Sequence, residues 1–191
     1  MKKVIETERL YLRQWQASDF AVFAEINADP EVMKYFPKLL STAVSNAIAH
    51  KCQQLIIDKG WGLWAVSLKD RSKENGAFIG FVGLNDTHAD MSFAPAVEIA
   101  WRLHKDCWGQ GYATEAASTA LNFAFNELSL DKVVSFTAVI NKRSQRVMER
   151  IGMINTRANF YHPALDANHQ LAEHVLYNIT RQQWNNQLSG L

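Results

Sequence analysis

A turn with two glycines lies between a predicted strand and a predicted helix. It reads Gly109-Gln110-Gly111, and Tyr112, Ala113 and Thr114 begin the helix. Glycine lets the backbone approach an anion closely, and the free N–H groups at a helix start, helped by the helix dipole, bind phosphate. The pattern predicts either a phosphate-binding loop or a plain turn whose glycines only supply the backbone geometry.

Three kinds of phosphate-binding loop begin in this way. A Walker loop needs Gly-Lys-Ser/Thr, which this turn lacks. A dinucleotide-binding loop needs Gly or Ala where Thr114 stands, and an acidic residue about 20 residues on, at the end of the next strand. Asp131 has that spacing but begins its predicted strand. A coenzyme A pyrophosphate loop is the kind that remains, alongside the plain turn.

Glu98 is the candidate for acid–base chemistry. It lies on a predicted strand, on the same face as Ala96, Ala100 and Arg102. A carboxylate among small residues of a central strand costs free energy unless it has a partner or a function. We therefore expect Glu98 either to act as a general base, directly or through water, or to pair with Arg102.

Other polar residues have ordinary structural interpretations beside functional ones. Asn141 is suited to cap a helix, and Ser144 would then be a solvent-facing or back-bonding serine. Cys107 adjoins the glycine turn, so a covalent acyl-enzyme has to be considered, although only His104 is close in sequence. The three histidines near the end of the chain are spaced too widely for a metal site, so no metal is expected. They are His162, His169 and His174.

Composition limits the class of protein. The chain has 191 residues, 48% apolar and 20% charged, with a net charge of +1, which suits a single globular domain over residues 1–191. No basic block indicates nucleic-acid binding, and no apolar run could span a membrane. Two cysteines without a Cys-x-x-Cys pattern and the lack of a secretory signal favour the cytoplasm.

The predicted elements follow the order strand, two helices, three strands, helix, strand, helix and two strands. This order predicts a single α/β domain, with a mixed central sheet flanked by helices. The predicted strands cover 10–15, 62–68, 77–84, 96–104, 131–140, 153–162 and 171–180, the predicted helices cover 18–29, 41–59, 112–128 and 141–151, and a polar turn covers 70–76.

Flanking residues add a family resemblance that covers nearly the whole chain. The sequence resembles the GNAT acyltransferase superfamily, in particular the branch that includes the ribosomal-protein N-terminal acetyltransferases. Four segments carry the resemblance in the expected order: Thr7-Glu8-Arg9-Leu10-Tyr11-Leu12-Arg13, Ala96-Val97-Glu98-Ile99-Ala100-Trp101, Trp108-Gly109-Gln110-Gly111-Tyr112-Ala113-Thr114-Glu115-Ala116, and Asn141-x-x-Ser144-x-x-Val147 with Gly152 beyond.

The resemblance implies a GNAT fold whose fourth and fifth strands splay apart around acyl-CoA. It implies an N-acetyltransferase that carries an acetyl group from acetyl-CoA directly to the amine of a protein N-terminus or a small molecule, and a monomer or homodimer. The alternative is a regulatory module that binds acyl-CoA and has lost catalysis. The implied coenzyme contacts are Trp101, Arg102, Leu103, Trp108, Gly109, Gln110, Gly111, Tyr112, Ala113, Thr114, Asn141 and Ser144.

The sequence departs from the family at one catalytic position. Many GNAT enzymes have a tyrosine four residues before the glycine equivalent to Gly152, and it protonates the leaving thiolate; here Met148 stands there. Ser144 is the remaining candidate acid, because the branch often has serine at that position. The resemblance places the acceptor near the last strands and near the segment that begins at Phe36, so the expected substrate contacts are Phe36, Glu98, Tyr161, His162 and His174.

Overall fold

The protein is described by a computed structural model over residues 4–69 and 76–189. Residues 70–75, which belong to the predicted polar turn, lie outside the described part. The chain divides into two compact units. The first consists of Met1–Leu84 and Ala100–Ala120, and the second consists of Asn85–Ile99 and Leu121–Leu191.

Strands and helices alternate along the chain, and most lie where the sequence predicts them. The strands are β1 (Ile5–Glu6), β2 (Leu10–Arg13), β3 (Leu63–Leu68), β4 (Ala77–Asp86), β5 (Val97–Leu103), β6 (Lys132–Ala138), β7 (Ile154–Asn155), β8 (Phe160–Tyr161) and β9 (Glu173–Thr180). The helices are α1 (Asp19–Ala28), α2 (Thr42–Lys59), α3 (Tyr112–Asn126), α4 (Lys142–Arg150) and α5 (Arg181–Ser189), with 3-10 turns at Val32–Tyr35 and Lys105–Cys107.

In the first unit, strands hydrogen-bond in the order β1-β2-β3-β4-β5. The β1/β2, β2/β3 and β3/β4 pairs are antiparallel. The core of this unit surrounds Trp15, which is 1% exposed and packs edge-on to Phe23 at 5.0 Å between ring centroids. Helix α2 begins after Ser41, whose hydroxyl accepts from the N–H of Val44, and ends at Gly60 in the left-handed conformation.

A buried ion pair also holds the first unit together. Arg13 donates from two nitrogens to the two carboxylate oxygens of Asp19, at 2.7 and 2.9 Å. Asp19 is 1% exposed, and it accepts a further bond from the N–H of Gln16 at 2.8 Å. Ser18 directly precedes α1, but its side chain makes no cap hydrogen bond. The carboxylate of Asp19 binds the turn before the helix instead.

In the second unit, β5, β6, β9 and β7 hydrogen-bond in that order, and β8 also pairs with β9. The β5/β6 pair is parallel, and β9 runs antiparallel to β6, β7 and β8. The sheet pairings are therefore mixed, as predicted.

One prediction for the second unit was wrong, and one helix was not predicted. Residues 153–162 form two short strands, β7 and β8, separated by a turn in which Arg157 has a φ of 60°. Helix α5 was not predicted, because its sequence is rich in glutamine and asparagine and, of its described residues, buries Trp184 alone.

Candidate active site

The glycine turn has the backbone shape that a phosphate loop needs. Gly109 and Gly111 have φ values of 78° and 82°, which side chains other than glycine rarely adopt, and α3 begins directly afterwards at Tyr112. A helix leaves its first N–H groups without partners inside the helix. The N–H groups from Gly109 to Thr114 donate to no group among the described residues. The loop therefore offers a run of free donors for an anion.

Arg9 and Glu115 fix this loop from the start of the chain. The guanidinium of Arg9 donates to the carboxylate of Glu115 at 2.7 Å and to the carbonyl of Gln110 at 3.0 Å. Glu115 also accepts from the hydroxyl of Thr7 at 2.5 Å and from the N–H of Arg9 at 3.0 Å. The guanidinium carbon of Arg9 lies 4.6 Å from the centroid of the Tyr112 ring.

The bond from Arg9 sets the direction of one loop peptide. In a trans peptide the C=O and N–H groups point in opposite directions. Because Arg9 holds the carbonyl of Gln110, the N–H of Gly111 points away from Arg9. On the Gly109 side the loop is open, since a Cβ added there would meet no heavy atom within 4 Å. The geometry suits a ligand that approaches the loop opposite Arg9.

Glu98 lies on β5 in the second unit, half-buried, with a single amide partner. Asn85 donates to its carboxylate at 3.4 Å. Burial raises the pKa of Glu98 to about 7, and the Asn85 hydrogen bond opposes that rise. A carboxylate with a pKa near neutrality can take up a proton and release it again at physiological pH, which is the property of a general base.

Arg102 has a different partner from the one that the ion-pair interpretation of Glu98 required. In the first unit its guanidinium donates to the Oδ1 atom of Asn27 at 2.5 Å and covers the ring of Phe36 at 4.1 Å. Burial lowers the pKa of Arg102 to about 10. Phe36, predicted as a substrate contact, is 37% exposed beside this guanidinium.

The pairing of strands places Glu98 on one face of the sheet with several ring side chains. Glu98 lies opposite Val134 of β6, and Phe136, two residues further, is on the same face of that strand. On β9 and β8 the residues in register with this face include His174, which is opposite Ala138, and Phe160, which is opposite His174. Residues directly opposite each other in a sheet share a face.

These rings form a cluster, here called the aromatic cluster. Phe136 and Phe160 pack edge to face at 5.6 Å between centroids, and Phe93, from the loop before β5, contacts both at 5.6 and 5.0 Å. The ring centroids of His162 and His174 are 5.1 Å apart. The members are Phe93, Phe136, Phe160, His162 and His174, and all but the buried His174 are half-buried.

Backbone bonds give the two histidines opposite tautomers. The Nδ1 atom of His174 lies 3.1 Å from the carbonyl oxygen of Ala172, which can only accept, so this Nδ1 carries the proton. The Nδ1 atom of His162 accepts from the N–H of Ala164 at 3.2 Å, so in the neutral ring the proton is on Nε2. Burial lowers the pKa of both histidines. At neutral pH one imidazole therefore offers an acceptor and the other a donor.

Tyr161 is the predicted substrate contact that the structure leaves outside this cluster. It lies opposite Glu173, on the other face of the sheet from His174, and it is 63% exposed. The structure thus brings His162, His174 and Glu98 to one face of the second unit, and places Tyr161 on the opposite face.

Asn141 and Ser144 lie at the start of α4, also in the second unit. The carbonyl oxygen of the Asn141 side chain accepts from the N–H of Ser144 at 3.3 Å, and its amide donates to Thr137 at 2.9 Å. Asn141 is therefore the helix cap that the sequence predicts. The half-buried hydroxyl of Ser144 has no hydrogen-bond partner among the described residues, so it does not bond back to the helix. Met148, one turn later, is 0% exposed.

Two further chemistries find little support among the described residues. Burial raises the pKa of the Cys107 thiol, and the neighbouring charge of Asp106 raises it further, which disfavours a thiolate nucleophile. The described parts of the chain contain no group of three or more histidine, cysteine or acidic side chains that could hold a metal ion. No helix in the described ranges is long and apolar enough to cross a membrane.

Comparison with known proteins identifies the family. The model of the acetyltransferase (GNAT) domain matches residues 9–154, which is most of the chain. The chain belongs to the GNAT acetyltransferase family. It is an N-acetyltransferase by that membership, with the α/β fold of the family.

Two relatives of this GNAT protein match along most of its length, and a third matches less than half of it. YnaD of Bacillus subtilis, an uncharacterized N-acetyltransferase, is 25% identical over 95% of this chain and 99% of that protein. FsC-acetyl coenzyme A-N(2)-transacetylase of Aspergillus fumigatus is 30% identical over 84% of this chain and 68% of that protein. YdaF of Bacillus subtilis, provisionally named a ribosomal N-acetyltransferase, is 32% identical over 46% of each chain. A GNAT acetyltransferase structure from Bacillus anthracis superimposes with a TM-score of 0.76 at 25% identity, over 94% of this chain and 99% of that one.

The sequence alone did not point to several residues of this candidate site. Asn85 and Phe93 lie between the predicted strands 77–84 and 96–104, in a segment interpreted as a loop, so nothing local distinguished them. Phe136 and Phe160 looked like ordinary strand residues, and only the register of β6, β8 and β9 brings them together.

Proposed function

We propose that this GNAT protein transfers an acetyl group from acetyl-CoA to a primary amine, with Glu98 as the general base. One observation supports this most: the half-buried carboxyl of Glu98 has a pKa of about 7 and shares a sheet face with the aromatic cluster. The relative named as an acetyl coenzyme A transacetylase supports the choice of donor.

The glycine loop would hold the pyrophosphate of the coenzyme. Its free N–H groups from Gly109 to Thr114 supply donors at the positive end of the α3 dipole. Arg9 adds a positive charge behind the loop. By the family resemblance, the backbone of Trp101, Arg102 and Leu103 and the side chain of Asn141 would bind the pantetheine arm, with Trp108 flanking the loop.

The reaction has two proton transfers. Glu98 takes a proton from the acceptor ammonium, directly or through water, and the neutral amine then attacks the thioester carbonyl carbon. A C–N bond forms, the carbonyl oxygen takes up the negative charge, and collapse of this intermediate breaks the C–S bond. The thiolate leaves and gains a proton while the nitrogen of the new amide loses one, so the second transfer runs from nitrogen to sulfur and restores the donor. Ser144 is the proposed donor of that proton, because its hydroxyl is uncommitted and Met148 has no proton to give.

The products test the proposal directly. Purified protein incubated with acetyl-CoA should release free thiol only when an amine acceptor is added, and mass spectrometry should find the acceptor heavier by one acetyl group. Glu98→Gln should abolish that release without weakening acetyl-CoA binding in calorimetry. Tight acetyl-CoA binding with no thiol release across a broad screen of amines and peptides would contradict the proposal.

A second candidate function is a regulatory module that binds acyl-CoA without turnover. The buried Met148, at the position where many family members have a tyrosine, favours it. Such a module would tolerate Glu98→Gln and Ser144→Ala with no change in its biological output. An acetyltransferase would lose its output with Glu98→Gln, so the same variant separates the two functions.

A further inference from the structure

We propose that the acceptor is a small primary amine carrying an uncharged aromatic ring, and that this ring binds against the aromatic cluster. The inference rests on the proposed function, since it assigns the acceptor of the same site. It names one of the two acceptor types that the family allows, a small molecule as opposed to a protein N-terminus, and it gives that molecule a chemical class.

The position of the cluster relative to Glu98 is the first support. Glu98 and Phe136 lie on one face of the second unit, because Glu98 is opposite Val134 and Phe136 follows two residues later on β6. Phe160 and His174 lie on that face two strands away. An acceptor whose amine reaches Glu98 therefore has its remaining atoms over this face of rings.

The packing of the rings is the second support. Phe93 meets Phe160 at an interplanar angle of 75°, and Phe136 meets Phe160 at 77°, so the phenylalanines pack edge to face. Aromatic rings continue such packing readily, because the positive edge of one ring is attracted to the negative face of the next. The three phenylalanines are half-buried, so each keeps an accessible part. A flat apolar ring extends the arrangement that is already present.

The charges on the strands of the cluster disfavour a polycationic acceptor. Along the described strands β6, β8 and β9 the one acidic residue is Glu173, which lies on the other face and accepts from Asn159 at 2.8 Å. His162 and His174 are neutral at pH 7, because burial lowers the pKa of both. Glu98 can pair with one ammonium group, and a second one would find no carboxylate on this face of these strands.

Cation–π attraction does not reverse this conclusion. A phenylalanine face attracts a cation, but the attraction is smaller than the cost of removing an ammonium group from water without an anionic partner. In the aromatic cluster, moreover, ring edges of neighbouring phenylalanines already contact ring faces. The neutral imidazoles offer one donor and one acceptor, which suit a hydroxyl or an amide on the acceptor better than a charge.

Three acceptors compared at saturating acetyl-CoA test the inference. The probes are 2-phenylethylamine, spermidine and a short peptide with a free N-terminus, and the readout is kcat/KM from thiol release. We expect 2-phenylethylamine to exceed both of the others by about tenfold or more, because burial of an apolar ring is favourable whereas burial of a second charge without a partner is costly. n-Butylamine serves as a fourth probe, with a primary amine and no ring.

A variant of the cluster gives an independent readout. Phe160→Leu keeps an apolar side chain and removes a ring, so kcat/KM for 2-phenylethylamine should fall by about three- to tenfold. The value for n-butylamine should stay within about twofold. Tyr11→Leu is the matched control, because it removes a half-buried ring from β2 of the first unit, which is not part of the cluster. It should leave both values unchanged.

The outcomes separate this inference from the proposed function. Preferred acetylation of spermidine or of the peptide overturns the aromatic acceptor and leaves the acetyltransferase standing. An equal loss for both amines in Phe160→Leu also overturns it, because the ring would then have a structural role only. If neither the four probes nor any other amine gave thiol release, the result would count against the proposed function itself.

Discussion

Replacement of Glu98 by glutamine tests the general base in the sharpest way. Glutamine has nearly the same shape and can still bond to Asn85, but it cannot take a proton at neutral pH. General base catalysis contributes about 10²- to 10⁴-fold, so kcat/KM at pH 8 should fall by that factor. Thiol release, followed at several acceptor concentrations with acetyl-CoA saturating, measures the loss.

The pH dependence of the unmodified protein gives the second measurement. With a pKa of about 7, roughly a tenth of the Glu98 carboxyl groups are ionised at pH 6 and about nine-tenths at pH 8. The rate should therefore rise about tenfold over this range because of Glu98 alone. Protonation of the acceptor amine also makes the rate depend on pH, so two acceptors whose amine pKa values differ should be compared. The step near pH 7 should be common to both and absent from the variant.

The same substitution should stabilise the fold at high pH. The pKa of Glu98 is raised from 4.5 to about 7, so the folded state holds this proton more tightly than the unfolded state. Stability is therefore lost as pH rises between these values. The difference corresponds to an upper bound of about 3 kcal/mol. Urea unfolding should find Glu98→Gln more stable than the unmodified protein at pH 8, with almost no difference at pH 4.5.

Asn85→Ala supplies the control for the assignment. The amide of Asn85 stabilises the ionised form of Glu98, so its removal should move the step in rate to higher pH. The reasoning is refuted if Glu98→Gln keeps its rate within about twofold and shows the same step near pH 7. A step that stays in place in Asn85→Ala would also show that another group titrates there.

Three further substitutions test the loop and the fold. Glu115→Gln removes the charge that holds Arg9, so the dissociation constant for acetyl-CoA in calorimetry should rise about three- to tenfold with kcat nearly unchanged. Equal affinity would show that the contact between Arg9 and Glu115 is not needed for binding. Gly111→Ala places a side chain on a residue whose φ is 82°, and the resulting backbone strain should destabilise the protein by about 1–2 kcal/mol in urea unfolding. Acetyl-CoA binding should weaken as well. An unchanged unfolding midpoint would show that alanine is not strained there. Asp19→Asn removes the charge that the Arg13 guanidinium bonds at two carboxylate oxygens, so unfolding should need about 3–5 kcal/mol less with kcat/KM retained at low temperature. A change below about 1 kcal/mol would mean that the pair is solvated.

Local signals in the sequence were enough for the elements that carry the glycine loop. Gly109 and Gly111 predicted a turn because only glycine adopts those φ values freely, and the alanine-rich run after them predicted α3. Helical spacing predicted a helix over 41–59, and α2 begins after Ser41 and ends at Gly60. These features depend on neighbours within a few residues, so one stretch of sequence contains all the information.

The features that the sequence did not predict depend on pairing between distant segments. The clamp between Arg9 and Glu115 joins residues 106 positions apart. The aromatic cluster needs the register of β6 with β9 and of β8 with β9, and a slip by one residue would turn each ring to the other face. The choice between base and ion pair for Glu98 also needed the structure, because it depended on whether Arg102 had another partner.

The contact between Arg9 and Glu115 links the glycine loop to the docking of the chain start within the first unit. Hydrogen bonds from Thr7 and Arg9 to Glu115 hold the chain start on α3 in a closed arrangement that joins segments more than 100 residues apart. Any ligand that binds the shaped loop draws the equilibrium toward this closed arrangement by mass action. Hydrogen exchange at the amide of Arg9, which donates to Glu115, should therefore slow as acetyl-CoA is added. Exchange at this amide, close to the start of the chain, would then report whether a ligand occupies a site near the middle of the chain.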